Sequence, residues 1–277
     1  MLSMLKLSAT AILLSSALYA GQSEKVEDFL EEKFGGNPNI VSLDVKVIDT
    51  VAVKDLKGWD AVIVNVDATI KAKPENKTIK QKMIWFTNGE VITKELSDLS
   101  TGLELSEMVS PKFQPEYYKE ENRIYGNKNA KHKVAIFSDP LCPFCRNFVP
   151  EAIKDMKKYP LIYAIYYYHF PLERIHPASI TLTQAAVVAE LQGHKNVTLE
   201  LYKVDVKARE KSVSKILKAF NKEFGTDIKE KDLQSAKVKK HLQSDLDIAN
   251  DMMVNGTPTM FFDGKLDKTK KKYKEAR

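Results

Sequence analysis

The sequence predicts a two-domain α+β protein on three observations. Short runs of alternating apolar residues follow a single amphipathic helix in the first hundred positions. The apolar pattern then thins between Ser100 and Lys131. Beyond it, a β-rich run passes into an amphipathic helix at Cys142, and a last apolar strand follows Pro258 after a long helical stretch. The expected organisation is a signal peptide over 1–20, an N-terminal helix-plus-antiparallel-sheet domain over 21–100 and a partly helical linker over 101–130. A second domain then covers 131–277, with a helical insertion from about 172 to 254.

Composition narrows the function classes. The 277 residues are 43% hydrophobic, enough to bury a core, so global disorder is excluded. No apolar run after the N-terminus is long enough for a multispan membrane protein. The net charge of +6 is spread among acids, except for the lysine-rich block from Lys268 to Lys274. Scattered charge of this kind describes a solvated surface rather than a nucleic-acid-binding face.

The first twenty residues, MLSMLKLSATAILLSSALYA, carry one charge at Lys6, then a short apolar run from Leu7 to Leu18 and a small residue at Ala20. This is the pattern of a secretory signal peptide, cut after Ala20 or, because Leu18 breaks the small-residue rule, after Ala17. An uncleaved anchor is the alternative. Export places the remainder in an oxidising compartment.

In the N-terminal domain, Val26, Phe29, Leu30 and Phe34 share a helical face, with Ser23 as the expected N-cap. Leu43, Val45 and Val47 alternate with polar residues, as do Val62, Val64 and Val66. Met83–Phe86 and Val91–Lys94 flank Asn88-Gly89, the strongest hairpin signal in the chain. One helix on a small sheet makes a thin core that gains from pairing with a second copy. A monomeric domain packed on its neighbour is the alternative. In the linker, a helical piece is expected around Glu116–Arg123.

The chain has two cysteines, Cys142 and Cys145, spaced C-x-x-C. A bridge across two residues closes too small a loop to act as a staple. A structural zinc site needs four ligands, and neither a second C-x-x-C nor an H-x3-H spacing is present. Redox chemistry is the remaining reading. The pair lies where the strand Lys133–Phe137, broken by Ser138-Asp139-Pro140, gives way to a helix with Phe148, Val149, Ala152, Ile153 and Met156 on one face. A helix N-terminus favours an anion. The Cys142 thiol is therefore expected to fall from about 8.5 into the range of roughly 3.5 to 7.5. Cys145, one turn in, is expected to be buried as a thiol, and Pro143 suits the first turn, where its missing N–H is not needed. Gly256-Thr257-Pro258-Thr259 precedes the strand Met260–Phe262. There a cis-proline would bring backbone against the redox pair and leave an edge for an extended substrate, although proline at that place also serves as a simple turn marker.

Between these motifs, Leu161–Tyr168 reads as a central strand whose tyrosines are core rather than a stacking platform. His169 reads as a structural histidine, with a proton shuttle as the alternative. In the insertion, Val213, Ile216, Leu217, Phe220 and Phe224 keep one face and Gly225 closes the helix. Met252-Met253 reads as helix-end core, and the segment after Gly264 as a frayed last helix.

Phe137-Ser-Asp-Pro-Leu-Cys-Pro-Phe-Cys145, Gly256-Thr-Pro-Thr259 and Phe86–Leu99 together resemble the thioredoxin-fold disulfide oxidoreductases of the bacterial periplasm, and within them the dimeric DsbC/DsbG group. The resemblance implies a cystatin-like N-terminal dimerisation domain and a thioredoxin-like catalytic domain. It implies Cys142 and Cys145 as catalytic residues, Pro143 and Phe144 as tuning residues, and Thr257 and Pro258 as substrate-binding residues, with no metal or organic cofactor. The implied activity is disulfide isomerisation or reduction of unfolded or misoxidised exported proteins by a periplasmic homodimer fed by a membrane reductase of the DsbD type. Two other readings stay open. His169-Phe-Pro-Leu172 and His176-Pro-Ala resemble the DsbA side of the superfamily, so a dimeric oxidase recharged by a DsbB-like protein is the alternative. A holdase chaperone with secondary redox activity is the second.

Overall fold

The computed structural model of the chain describes residues 7–53 and 56–276, with side chains from residue 21 onward. Two compact units divide between Ser110 and Pro111.

In the first unit a helix, α1 (Leu7–Gly35), lies on a sheet of four antiparallel strands in the order β1 (Ile40–Ala52), β2 (Asp60–Ile70), β3 (Lys77–Thr87) and β4 (Ile92–Thr93). Period-two alternation explains its core. Val45, Val62, Val64, Val66 and Trp85 present one face to Val26 and Leu30 of the helix, with Phe34, Leu43 and Val47 around them. Full burial of Leu30 alone contributes about 2–3 kcal/mol. Two helix carboxylates reach the strand edge: Val47 N–H donates to Glu27 at 2.8 Å and Val45 N–H to Glu31 at 3.4 Å. The hairpin falls where Asn88-Gly89 predicts it. The Asn88 side chain accepts from the N–H groups of Glu90 and Val91, and Gly89 takes φ +89°, which favours glycine.

The second unit is built on a five-stranded sheet in the order β5 (Arg123–Tyr125), β7 (Tyr163–His169), β6 (His132–Ser138), β8 (Thr259–Phe262) and β9 (Lys265–Leu266). Strands β6 and β7 run parallel, and every other pairing is antiparallel. The helix α2 (Pro143–Met156) joins β6 to β7. Alternation sorts each strand between two cores. Val134, Ile136, Tyr163, Ile165 and Tyr167 meet α2, whereas Ala135, Phe137, Tyr166 and Tyr168 meet Phe113, Ile248 and Met252. The tyrosines of β7 are thus packing residues on both faces.

Between β7 and β8 lie five helices: α3 (Ala178–Leu191), α4 (Val197–Glu200), α5 (Val213–Phe224), α6 (Glu230–Leu233) and α7 (Ala236–Asp251). They enclose a third core, to which α5 contributes Ile216, Leu217 and Phe220. Gly225 ends α5 at φ 63°. A short helix, α8 (Lys272–Glu275), closes the chain.

Four expectations need correction. Ser23 does not cap a helix start. The preceding leucines and alanines are good helix formers, α1 already runs from Leu7, and Ser23 lies inside it. The expected signal segment, 1–20, lies outside the residues whose side chains are described. The expected linker shortens, because Phe113 is 2% exposed and β5 pairs with β7, so residues from Pro111 belong to the second unit. The helical piece expected at Glu116–Arg123 is two single 3₁₀ turns, Pro115–Tyr117 and Glu120–Asn122. Finally, the tail is not frayed. Tyr273 is buried, and its carbonyl accepts from the Tyr163 hydroxyl. Among the described residues no helix is long and apolar enough to cross a membrane.

Candidate functional site

The loop between β6 and α2 places the first cysteine. Cys142 is the N-cap of α2 with extended φ/ψ of −69° and 122°, and Pro143 occupies the first helical turn. The N–H of Cys142 donates to the Asp139 carbonyl at 3.2 Å, and its own carbonyl accepts from Arg146 N–H at 3.0 Å. Arg146 fixes the start of the helix from its side chain as well, donating to the carbonyls of Pro140 at 2.8 Å and Val204 at 3.0 Å.

The second cysteine is sealed. Cys145 is 0% exposed, one turn into α2, and burial pushes its thiol up to about 11 against a partial offset from the Ser138 hydroxyl. Ser138 is itself part of a buried hydroxyl chain. Its Oγ lies 2.7 Å from the Tyr202 hydroxyl, which lies 3.0 Å from that of Tyr167. Burial raises the pKa of both tyrosines, so the chain stays neutral.

The segment before β8 completes the site. The Cys142 Sγ–H donates to the Thr257 carbonyl at 3.6 Å, and the Thr257–Pro258 peptide is cis. Phe144 is 75% exposed and stands with Thr257 and Pro258 on the lining of one groove of about 730 Å³. The structure therefore brings together all six residues singled out in the sequence: Cys142, Pro143, Phe144 and Cys145 from the helix start, and Thr257 and Pro258 across from them.

One organiser was read only as a strand breaker. Asp139 is fully buried, and its carboxylate accepts four bonds. Oδ1 takes Leu141 N–H and the Ser179 hydroxyl, both at 2.7 Å, and Oδ2 takes Leu172 N–H at 2.7 Å and faces His176 Nδ1 at 3.1 Å. This side chain ties the cysteine loop to the insertion. Three of its four partners lie 33 to 40 positions away, beyond any local pattern.

His169 is not placed to shuttle protons. It is buried at the end of β7, and desolvation holds its imidazole neutral, down to about 3. Its backbone N–H donates to Asp245 at 2.8 Å, a carboxyl that burial pushes up to about 8.

Among curated proteins, the Na(+)/H(+) antiporter NhaA 1 of Mycolicibacterium gilvum (strain PYR-GCK) is 30% identical over 153 residues, 53% of this chain and 24% of that protein. NhaA 1 of Mycobacterium sp. (strain KMS) is 28% identical over 156 residues, 54% of this chain and 24% of that protein. The chain thus spans about a quarter of the length of the curated relatives it matches. Among solved structures, a thioredoxin-like oxidoreductase from Silicibacter pomeroyi DSS-3 aligns with a TM-score of 0.48 at 21% identity, covering 55% of this chain and 87% of that one. Proteus mirabilis ScsC in a compact conformation gives 0.45 at 22% identity, over 55% and 74%. BdbD from Bacillus subtilis gives 0.43 at 19%, over 61% and 93%. A family profile described as Thioredoxin matches residues 118–277, which hold both cysteines and Pro258. With that match running over more than half its length, the chain belongs to the thioredoxin family.

Proposed function

We propose that this chain is an exported thiol-disulfide oxidoreductase of the DsbC/DsbG type, an isomerase and reductase that acts on misoxidised client proteins in the periplasm. One observation carries the reading: Cys142 stands at the N-cap of α2 against the Thr257 carbonyl, with Cys145 sealed one turn behind it.

The chemistry needs only the two sulfurs. The Cys142 thiolate attacks one sulfur of a client disulfide; a Cys142–client bond forms, the client S–S bond breaks, and the other client sulfur leaves as thiolate. An extended client strand is held against the backbone of Thr257 and Pro258, and Pro143 and Phe144 set the helix start and the rim. Two exits follow. A client thiolate attacks the client sulfur of the mixed disulfide, which forms a new client disulfide and returns Cys142 as thiolate with no net redox change. Alternatively, the Cys145 thiolate attacks Cys142, the client leaves reduced by two electrons, and the enzyme is left with a Cys142–Cys145 disulfide. That second exit requires a reductant, and a membrane reductase of the DsbD type fits an exported protein. Burial of Cys145 slows the second exit and favours the first.

The N-terminal unit is assigned to homodimerisation. Its first strand lies at the sheet edge and exposes Val41, Ile48 and Val51, apolar side chains that a second copy would cover.

The test is refolding of a scrambled-disulfide protein by the purified chain with catalytic reductant, with Cys142→Ser as control. Recovery that requires Cys142 supports the proposal. Oxidation of a reduced client without recovery of scrambled protein replaces it with the DsbA-like oxidase reading. Aggregation suppression that survives Cys142→Ser/Cys145→Ser, without thiol exchange by the parent, replaces it with the holdase reading.

A further inference from the structure

The groove beside Cys142 has two unlike walls. One is apolar and includes Phe144, Phe148 and Met260. The other is the segment after β9, which brings Lys268, Lys270, Lys271 and Lys274 to the same opening. At about 730 Å³ the groove has room for several side chains of an extended segment.

The cations are held there rather than carried on a loose tail. Asp267 is 1% exposed and pins the turn from inside, accepting from the Thr269 hydroxyl at 2.7 Å and from the N–H groups of Lys270 and Lys272, each at 3.0 Å. Tyr273 then anchors the segment in the core beneath α2. Asp267 is also the only acid among the described lining residues, and these bonds occupy its carboxylate. The lysine wall therefore meets an incoming segment with the one acid among the described lining residues already bonded to hydroxyl and N–H groups.

Resting on the reading of Cys142 as the nucleophile, we propose that this groove is a client-docking subsite selecting extended segments with acidic side chains next to the cysteine under attack. The apolar wall takes neighbouring apolar side chains, the Thr257 backbone takes the main chain, and the lysines supply the discrimination. A polar-backbone edge beside an apolar wall suits a peptide, whereas a bare polyanion would engage the lysines alone. Charge in a cleft mainly raises the rate of productive encounter, and it is screened by salt.

The test uses the full, reduced chain and two synthetic peptides, each joined through its single cysteine to a chromophoric thiol and flanked by either glutamates or lysines. Attack by Cys142 forms a Cys142–peptide disulfide, breaks the probe disulfide and releases the chromophore as thiolate, which gives the rate. The Glu peptide should react about tenfold faster than the Lys peptide at low salt, and the ratio should approach one at about 1 M salt. In Lys270→Glu/Lys271→Glu/Lys274→Glu the ratio should invert. Because both rates come from one preparation, the ratio does not depend on the folded fraction. An uncharged small-molecule disulfide separates the two ideas. If it reacts with Cys142 while the parent's ratio stays near one, or the variant keeps the parent's preference, the acidic-client assignment is overturned. If it does not react with Cys142, the reading of Cys142 as nucleophile falls first.

Discussion

Protonation of Cys145 should set how long a client stays attached, and pH is the perturbation that tests it. Burial holds the Cys145 thiol up at about 11. At pH 7 the reactive thiolate is then about one part in 10⁴, and at pH 9 about one in a hundred. An ordinary client thiol, with a pKa of about 8.5, is about 3% thiolate at pH 7, roughly three hundred times more. The higher basicity of Cys145 offsets about a factor of ten to twenty of that through its greater nucleophilicity. A client thiol at equal local concentration therefore wins by about twentyfold, which is the physical case for reshuffling over release. The assay is a pH jump on a preformed disulfide between Cys142 and a single-cysteine reporter peptide. Peptide release should rise about a hundredfold between pH 7 and 9, continue to rise above that, and vanish in Cys145→Ser. A release rate that is flat over this range, or that levels off below about pH 9, would refute the reasoning, because it would mean that burial does not hold the proton on Cys145 in the mixed disulfide.

Three other expectations follow from buried groups. Asp139→Ala leaves the N–H groups of Leu141 and Leu172 without their acceptor, and about 2–5 kcal/mol should be lost in urea unfolding, together with slower attack by Cys142 on any disulfide. Phe113→Ala should cost the second unit about 3–5 kcal/mol, since Phe113 is 2% exposed and packs on Tyr118, Phe261 and Tyr168 at centroid distances of 4.7, 5.4 and 5.7 Å. The loss should appear in tyrosine near-UV dichroism and not in tryptophan emission, because Trp59 and Trp85 both lie in the first unit. His169 has a folded pKa of about 3, below the ordinary 6.5, so the unfolded chain binds the extra proton between those values and stability falls as pH drops through that window. His169→Asn should flatten the loss between about pH 6 and 4, by roughly 2–3 kcal/mol in denaturant midpoints converted to free energy.

What could be read from the sequence is what repeats locally. The face of α5 at Ile216, Leu217 and Phe220 follows a helical period, the valines of β1 and β2 alternate, and Asn88-Gly89 marks its own turn. Cys142 and Cys145 announced themselves through spacing and through the strand-to-helix change around them. What stayed hidden depends on partners far away in the chain. Phe113 sits in a polar, proline-containing stretch whose few aromatic residues follow no helix or strand period, so it reads as linker. Strand β5 has three residues, too few for any period to register. In the last segment the lysines set the composition, while Asp267 and Tyr273, which decide its structure, are single residues among them.

The same logic explains how the site can combine a reactive loop with a charged wall. Both flank the groove as irregular backbone, and irregular backbone must find acceptors for its N–H groups somewhere. In each case one buried aspartate supplies them: Asp139 for the loop leading into α2, and Asp267 for the turn that carries the lysines. A carboxylate that accepts several N–H and hydroxyl bonds is satisfied without a cation bonded to it. Asp267 can therefore shape a lysine-bearing turn from beneath while leaving the ammonium groups of Lys270 and Lys272 out of its own bonding. Because the two anchors hold separate loops, the charge of the turn can change while the geometry around Cys142 stays fixed. On the proposed reading, that separates what the site attacks from whom it admits: the sulfur chemistry is set by Asp139 and the start of α2, and the choice of client by the surface of the Asp267 turn.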